Sequence, residues 1–405
     1  MKNDVTYRQD LTVRFSYSVS FTRQLFDIDN RLLAETVRGG GGCIPARVLV
    51  YVDDGVVEAH PQLMQRISHY LRHYSDVFDL AQELMTTPGG EQAKNGWNTI
   101  RNIMTQIGSA HLDRHCYVIA VGGGSVLDGV GFAASIVHRG IRMIRVPTTV
   151  LAQNDAGVGV KTGMDEHGIK NFVGTFASPF AVLSDFDFLP TLKDKYWFGG
   201  IAEAFKVAII KDRAFFEELE ANADMLRQRD AGAMESLITR TAELHLEHIR
   251  EGGDPFEMGA ARPLDFGHWA AHKIEVLSNY RLGHGQAVAV GIALDSFYAA
   301  EVGLLSMEEA RRIASAMMRV GLAVWDSTLE MRDDCGRLLF LRGLNEFREH
   351  LGGELTITLP DGIGARVEVH KVDKDLLVRA SRNAREICCS GAAADGVLSS
   401  QQHAL

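Results

Sequence analysis

His268, His272 and His284 fall close together in the chain, in the stretches Asp265-Phe-Gly-His268-Trp-Ala-Ala-His272 and Leu282-Gly-His284-Gly-Gln286. Upstream lies Ala202-Glu203-Ala204-Phe205-Lys206. Neutral imidazole and carboxylate are the usual ligands of a catalytic divalent metal. The i, i+4 spacing places His268 and His272 on one face of a helix, one turn apart. His284 follows a glycine-containing turn, so the chain can fold back toward that helix. Buried histidines are often only structural, and from these residues alone both readings stand.

The elements that must position them follow from periodicity. Arg47-Val-Leu-Val-Tyr-Val-Asp53 and Cys116-Tyr-Val-Ile-Ala-Val-Gly122 read as buried strands, as does Ile141-Arg-Met-Ile-Arg-Val-Pro147. His60 to Tyr74 has the pattern of an amphipathic helix, and a helix rich in small residues (Gly131, Ala133, Ala134) follows the second strand. Strands alternating with helices predict a mostly parallel sheet covered on both faces. From Tyr196 to Arg250 the chain favours long helices, and helical periodicity returns over Trp269–Leu277 and Ala287–Leu304. The expected organisation is an N-terminal α/β domain over 1–190 and a mainly α-helical domain over 191–390. A hairpin is expected around Pro360-Asp361-Gly362 and a flexible tail over 391–405.

Composition narrows the function classes. The 405 residues are 46% hydrophobic and 23% charged, with a net charge of −10. No strongly basic stretch is present, which argues against nucleic-acid or anionic-membrane binding. Cys43, Cys116, Cys335, Cys388 and Cys389 show no CxxC spacing, so reduced thiols in a cytoplasmic protein are expected. No signal-peptide core and no apolar run of membrane-spanning length is found.

Gly122-Gly123-Gly124-Ser125 joins a buried strand to a helix. Such a turn lets a pyrophosphate approach the backbone and the free N–H groups of a helix start, although it lacks the usual GxGxxG form. Asp128 one turn on could meet a ribose or a nicotinamide amide. Asp53 at a strand end could hold an adenosine ribose, and Glu91 and Lys94 in Pro88-Gly-Gly-Glu91-Gln-Ala-Lys94 suit adenosine contacts. Each alone is equally a structural feature. Their order within one α/β domain points to a dinucleotide.

Several further motifs recur in one order. They are Gly122-Gly-Gly-x-x-x-Asp128, His138-Arg139-Gly140, Val146-Pro147-Thr148-Thr149, Asp155 with Lys161, Lys170-Asn171, Glu203-x-x-Lys206, Phe266-Gly267-His268 and His284-Gly285. From about Val48 to Leu304 the chain resembles the dehydroquinate synthase-like sugar phosphate cyclases. Pro-Thr-Thr-Val-Leu-Ala-Gln-Asn-Asp and Asp-Phe-Gly-His-Trp-Ala-Ala-His look most like the EboD-type branch. The resemblance implies a Rossmann-like NAD-binding domain and a helical metal-binding domain. It also implies a homodimer and a phosphorylated ketose substrate. Glu203, His268 and His284 would then hold one divalent ion, zinc or cobalt, while His272 falls outside the ligand set and contacts substrate or a ligand. Arg139, Lys161, Lys170, Asn171 and Lys206 match substrate and phosphate contacts, and Arg262 stands one position out of step with another. Thr148 and Thr149 match NAD contacts, and Asp155 matches an acid that binds substrate hydroxyl or nicotinamide.

The chain also departs from dehydroquinate synthases proper. Asp265 replaces an asparagine, Leu359-Pro360-Asp361 stands in the region of a late lysine, and a mid-chain lysine is replaced near His245 or Leu246. Fewer cations and an added carboxylate disfavour a carboxylated substrate, whereas Asp265 can accept hydrogen bonds from sugar hydroxyls. The expected substrate is therefore a seven-carbon ketose phosphate such as sedoheptulose 7-phosphate. Dehydroquinate synthase proper, a metal-dependent polyol dehydrogenase and a non-catalytic binding protein of the same fold are the alternatives.

Overall fold

Valine, isoleucine and alanine crowd the central strands because both faces of those strands are buried. In the computed structural model, which describes residues 6–402 apart from 168, 253–255, 257–261 and 351, eleven strands are present. Side chains are described as far as 390, that of 350 excepted. Strands β1 (Ser18–Thr22), β2 (Ala46–Asp53), β3 (Phe78–Leu80), β4 (Met85–Thr87), β5 (Tyr117–Gly122) and β6 (Arg142–Pro147) come before an antiparallel hairpin. That hairpin is β7 (Lys161–Glu166) with β8 (Ile169–Phe176), followed by β9 (Ala181–Asp185). The main sheet runs β1-β9-β6-β5-β2-β3, with β4 also on β2, and its pairings are all parallel. Val48, Val50 and Val52 pack to one face with Ile119 and Val121. Leu49 and Tyr51 pack to the other with Val118 and Ala120. That period of two on a doubly covered sheet is what the near-continuous apolar runs encode.

Chain order reverses between β2 and β5: β3 and β4 lie on one side, β6 and β9 on the other. The ends of β2 and β5 flank that reversal, and a ligand crevice forms at such a point in open α/β sheets. Asp53 closes β2, and Gly122 closes β5, from which a helix Gly124–Ile136 departs. The sheet is thus an N-terminal Rossmann-like layer, and helices dominate from Asp194 onward.

Three details differ from the sequence expectations. The helix expected over His60–Tyr74 begins at Leu63, and a separate short helix Asp54–Ala59 precedes it. Pro61 is the reason, since it disfavours a helical His60, and His60 is extended at φ −130°. The segment between Lys161 and Lys170, for which no element was expected, is the β7–β8 hairpin, and the interior of β7 is buried. Strand β1, at the sheet edge, had no clear signal. The hairpin expected around residue 361 is β10 (Ile357–Pro360) paired antiparallel with β11 (Arg366–Val369). The helix Lys374–Gln402 runs through Ser390, where the tail was expected to begin. No helix among the described residues is long and apolar enough to cross a membrane.

In the helical layer, glycines set how closely the helices approach. The helix Asp194–Lys211 meets the helix His284–Glu301 at Gly199 and Gly285, where a Cβ on Gly285 would sit 1.9 Å from the Gly199 carbonyl oxygen. The helix His268–Leu277 begins after Gly267, which has φ +80° and packs on Gly291 of the same partner helix. A left-handed residue at that point costs glycine nothing and costs other residues strain. These contacts bring the starts of two helices against the middle of a third. Gly285→Ala is therefore expected to destabilise the protein by about 3 kcal/mol or more, the upper range for overpacking, read as a lowered thermal unfolding midpoint.

Candidate active site

Glu203 sits one turn beyond Gly199 on its helix and is fully buried. His268 and His284 open their own helices and turn toward it. His268 Nε2 lies 3.7 Å and His284 Nε2 3.5 Å from Glu203 Oε1. One ligand atom from each of the three residues fits within 4.8 Å of the others. The opposite ring nitrogens are engaged elsewhere: His268 Nδ1 lies 3.1 Å from the Phe266 carbonyl oxygen and His284 Nδ1 3.4 Å from Glu275 Oε2. A proton held at Nδ1 by each of these acceptors would free Nε2 to ligate an ion shared with Glu203, the arrangement of metal-ligating histidines. A buried carboxylate facing two such nitrogens fits a divalent cation.

The pair Glu203 and Lys206 could have been an ordinary surface ion pair at i, i+3. Instead both are buried, with Lys206 Nζ 2.6 Å from Glu203 Oε2 and 3.6 Å from Asp155 Oδ1. Burial opposes charge on Lys206, but Asp155 and Glu203 outweigh it and hold the ammonium protonated well above the usual range. Asp155 is carried on a π-helical turn, Ala152–Ala156, immediately after β6. Burial would raise its carboxyl, yet Lys206 and His245 hold it well below the usual range. His245 Nδ1 lies 2.9 Å from Asp155 Oδ1. Half-buried Asp265 is likewise held down against burial, first by Lys161 and then by His268, His272 and Arg262. The cluster thus interleaves carboxylates with cations and imidazoles.

His272 stands beside the metal candidates rather than among them. Its ring centroid is 5.6 Å from that of His268 and 6.1 Å from that of His284. It can join a second group with Glu275 and His284, but that group would need Glu275, which already receives Lys170 Nζ at 2.8 Å.

The hairpin carries the link between sheet and helices. Lys170 bridges Glu91, at 2.9 Å, and Glu275, at 2.8 Å. Lys94 is buried and reaches Asp128 at 3.0 Å and Asn171 Oδ1 at 2.6 Å. Five residues expected on cofactor or substrate are thus brought to one place, although Lys94 with Asp128 and Asn171, and Glu91 with Lys170, satisfy one another. The crevice at the strand ends has Asp53 accepting from the Gly55 N–H at 2.9 Å, with Gly122, Gly123, Gly124 and Ser125 at the helix start. A Cβ on Gly123 would come within 3.3 Å of Thr149. Thr148 is buried and its hydroxyl has no hydrogen-bond partner among the described residues. Narrow backbone access and an unused buried hydroxyl fit a dinucleotide lying along this edge.

Arg139 is not brought into this cluster. It lies exposed past the far end of the Gly124–Ile136 helix, about 20 Å from the helix start at 1.5 Å per residue. Arg262 and Lys161 act on the site through their charge at Asp265. His245 and Glu275 are site residues that the sequence left in the background. Glu275 had a usable signal, i+3 from His272 and so on the same helix face. His245 had none, because only the packing of the Ala231–Glu251 helix against the Asp155 turn reveals it.

Comparison with known proteins shows what this arrangement is similar to. Residues 84–198 match the family described as 3-dehydroquinate synthase N-terminal, and residues 200–337 match 3-dehydroquinate synthase C-terminal. A 2-epi-5-epi-valiolone synthase of Streptomyces glaucescens is 35% identical over 88% of this chain and 87% of its own. A 3-dehydroquinate synthase of Pelobacter propionicus is 36% identical over 73% of this chain and 80% of its own. Among solved structures, the 2-epi-5-epi-valiolone synthase of Streptomyces hygroscopicus subsp. jinggangensis, with NAD+ and Zn2+ bound, superposes with a TM-score of 0.81. It is 30% identical, covering 94% of this chain and 99% of its own.

Acid stability provides a test of the geometry without any ligand. Burial would raise Glu203 and Glu275, but Lys206 near the first and His284 near the second dominate, holding each at about 2. A carboxyl whose folded value lies below its unfolded value adds stability above the unfolded value and loses it as pH falls through the folded one. Metal-stripped protein should therefore lose stability between about pH 4.5 and about pH 2. Glu275→Gln should make that loss shallower, as read by urea unfolding at about pH 5 and about pH 3.

Proposed function

Because the chain belongs to the dehydroquinate synthase-like sugar phosphate cyclases, we propose that it closes a phosphorylated ketose into a cyclitol, with NAD and one divalent metal ion as cofactors. The observation that carries this reading is the Glu203–His268–His284 group, set beside a cluster of cations. We further propose Glu203, His268 and His284 as the ligands, with zinc or cobalt as the ion. When bound, the metal would acidify a substrate hydroxyl, and NAD would take a hydride and return it within the same turnover.

The chain's own residues supply the remaining requirements. Lys161, Lys170 and Arg262 offer fixed positive charge to the phosphate that binds and leaves, and Arg139 is proposed for the same phosphate on family resemblance alone. Lys206 Nζ, kept protonated by two carboxylates, can donate to a substrate oxygen. Asp155 Oδ1 is occupied by His245 Nδ1, which leaves Oδ2 to accept from a sugar hydroxyl or the nicotinamide amide. The edge formed by Asp53, Gly122–Gly124, Ser125, Asp128, Thr148 and Thr149, with Glu91 and Lys94, is the proposed NAD seat.

For the substrate we favour a seven-carbon ketose phosphate without a carboxylate, such as sedoheptulose 7-phosphate. Asp265 beside His268 would repel a carboxylate but accept from hydroxyls. Leu359 and Pro360 are buried in β10 and offer no cation. The same motifs favour the EboD-type branch. A cytoplasmic homodimer remains the expectation drawn from the resemblance and from the five free cysteines.

Incubation with sedoheptulose 7-phosphate, zinc or cobalt, and NAD in trace amount should release phosphate without matching NADH. Sustained NADH accumulation would instead identify a polyol dehydrogenase, and faster turnover of the carboxylated precursor of dehydroquinate would identify a dehydroquinate synthase. Treatment with a strong chelator should abolish phosphate release, and added zinc or cobalt should restore it. Glu203→Gln should lose metal uptake and lower turnover at least about 100-fold, the upper effect of disturbing a metal shell, measured by metal content and phosphate release.

A further inference from the structure

Asp295 is a carboxylate only 1% exposed, deep in the helical layer, and it pairs with no cation among the described residues. Burying a carboxylate without a counter-ion is costly, and burial indeed pushes its acid form up to about 7. Its two oxygens have separate tasks. Oδ1 accepts from the Trp269 indole N–H at 2.8 Å, and Oδ2 from the Gly267 backbone N–H at 3.1 Å. Those donors belong to the residues on either side of His268.

A simple need to satisfy the indole does not account for this choice. A buried tryptophan N–H requires one acceptor, and an amide or a carbonyl would serve without the cost of a carboxylate. What a carboxylate adds is a second acceptor in the same plane. Gly267 is the left-handed residue that opens the helix bearing His268, and its amide is one of the donors that a helix start leaves unpaired. A carboxylate there also suits the positive end of that helix. Asp295 lies three turns beyond His284 on the same helix face as Gly291, the residue on which Gly267 packs. One helix face therefore carries the ligand His284, the docking point Gly291 and the tether Asp295.

We infer that Asp295 is a positioning residue for the metal centre, fixing the Gly267 backbone on one side of His268 and the Trp269 indole on the other, so that His268 Nε2 meets Glu203 and His284. The Phe266 carbonyl then sets the ring rotation through Nδ1, and Asp295 sets where the ring is rooted. This inference rests on the metal reading of Glu203, His268 and His284 given above.

The test measures metal binding itself. Zinc dissociation constants are determined by competition with a chromophoric chelator, and visible spectra are recorded for the cobalt-substituted protein. The set is the parent, Asp295→Asn, Trp269→Phe and Ser296→Ala. Asp295→Asn keeps one acceptor and turns a donor on the other N–H. It should weaken zinc binding by about 10- to 100-fold, as for other supports of metal ligands, and shift the cobalt bands. Trp269→Phe removes one strand of the tether and should act in the same direction by less, and it carries the test if Asp295→Asn does not fold. Ser296→Ala removes a neighbouring buried hydroxyl that has no partner among the described residues and should bind as the parent does. Parent-like constants and spectra in both tether variants would overturn the inference, as would an equal loss in Ser296→Ala. A parent that takes up no metal would overturn the metal reading, and this one with it.

Discussion

A carboxylate with no access to water must be surrounded by positive charge or by donors, or it will not stay ionised. Glu203 imposes that constraint on the helical half of this protein. It accounts for Lys206 one turn later, for two imidazoles aimed at the same oxygen, and for Asp155 balancing Lys206 in turn. Remove the cations and the acid is an uncompensated charge in the core. Remove the acid and a buried ammonium is left in its place.

Meeting that constraint requires three helices to converge within a few ångströms, which ordinary side chains at the crossings would prevent. Gly199 against Gly285, and Gly267 against Gly291, remove the Cβ atoms that would otherwise hold the backbones apart. The site therefore depends on residues with no side chain as much as on those with reactive ones.

The two halves of the molecule are joined by ions as well as by packing. Lys170 on the hairpin reaches both Glu91 beside the sheet and Glu275 on the His268 helix, and Glu275 in turn meets His284. The proposed cofactor edge and the proposed metal centre thus share one chain of contacts.

The layered α/β and helical architecture was legible in the chain's periodicity, because strand and helix periods report burial directly. Also legible were the glycine run at a strand end and, through the order of motifs that resemble a known family, the grouping of Glu203 with His268 and His284. The sequence could not show that the segment between Lys161 and Lys170 folds as a hairpin, since the burial of β7 depends on the helix packed beneath it. Nor could it place His245 on Asp155, pair Lys94 with Asp128, or find Asp295 under His268. Those contacts join residues far apart in the chain, and no local pattern records which buried polar group will face which. Only the tertiary structure decides them, because the need to satisfy a buried charge is set by its neighbours in space.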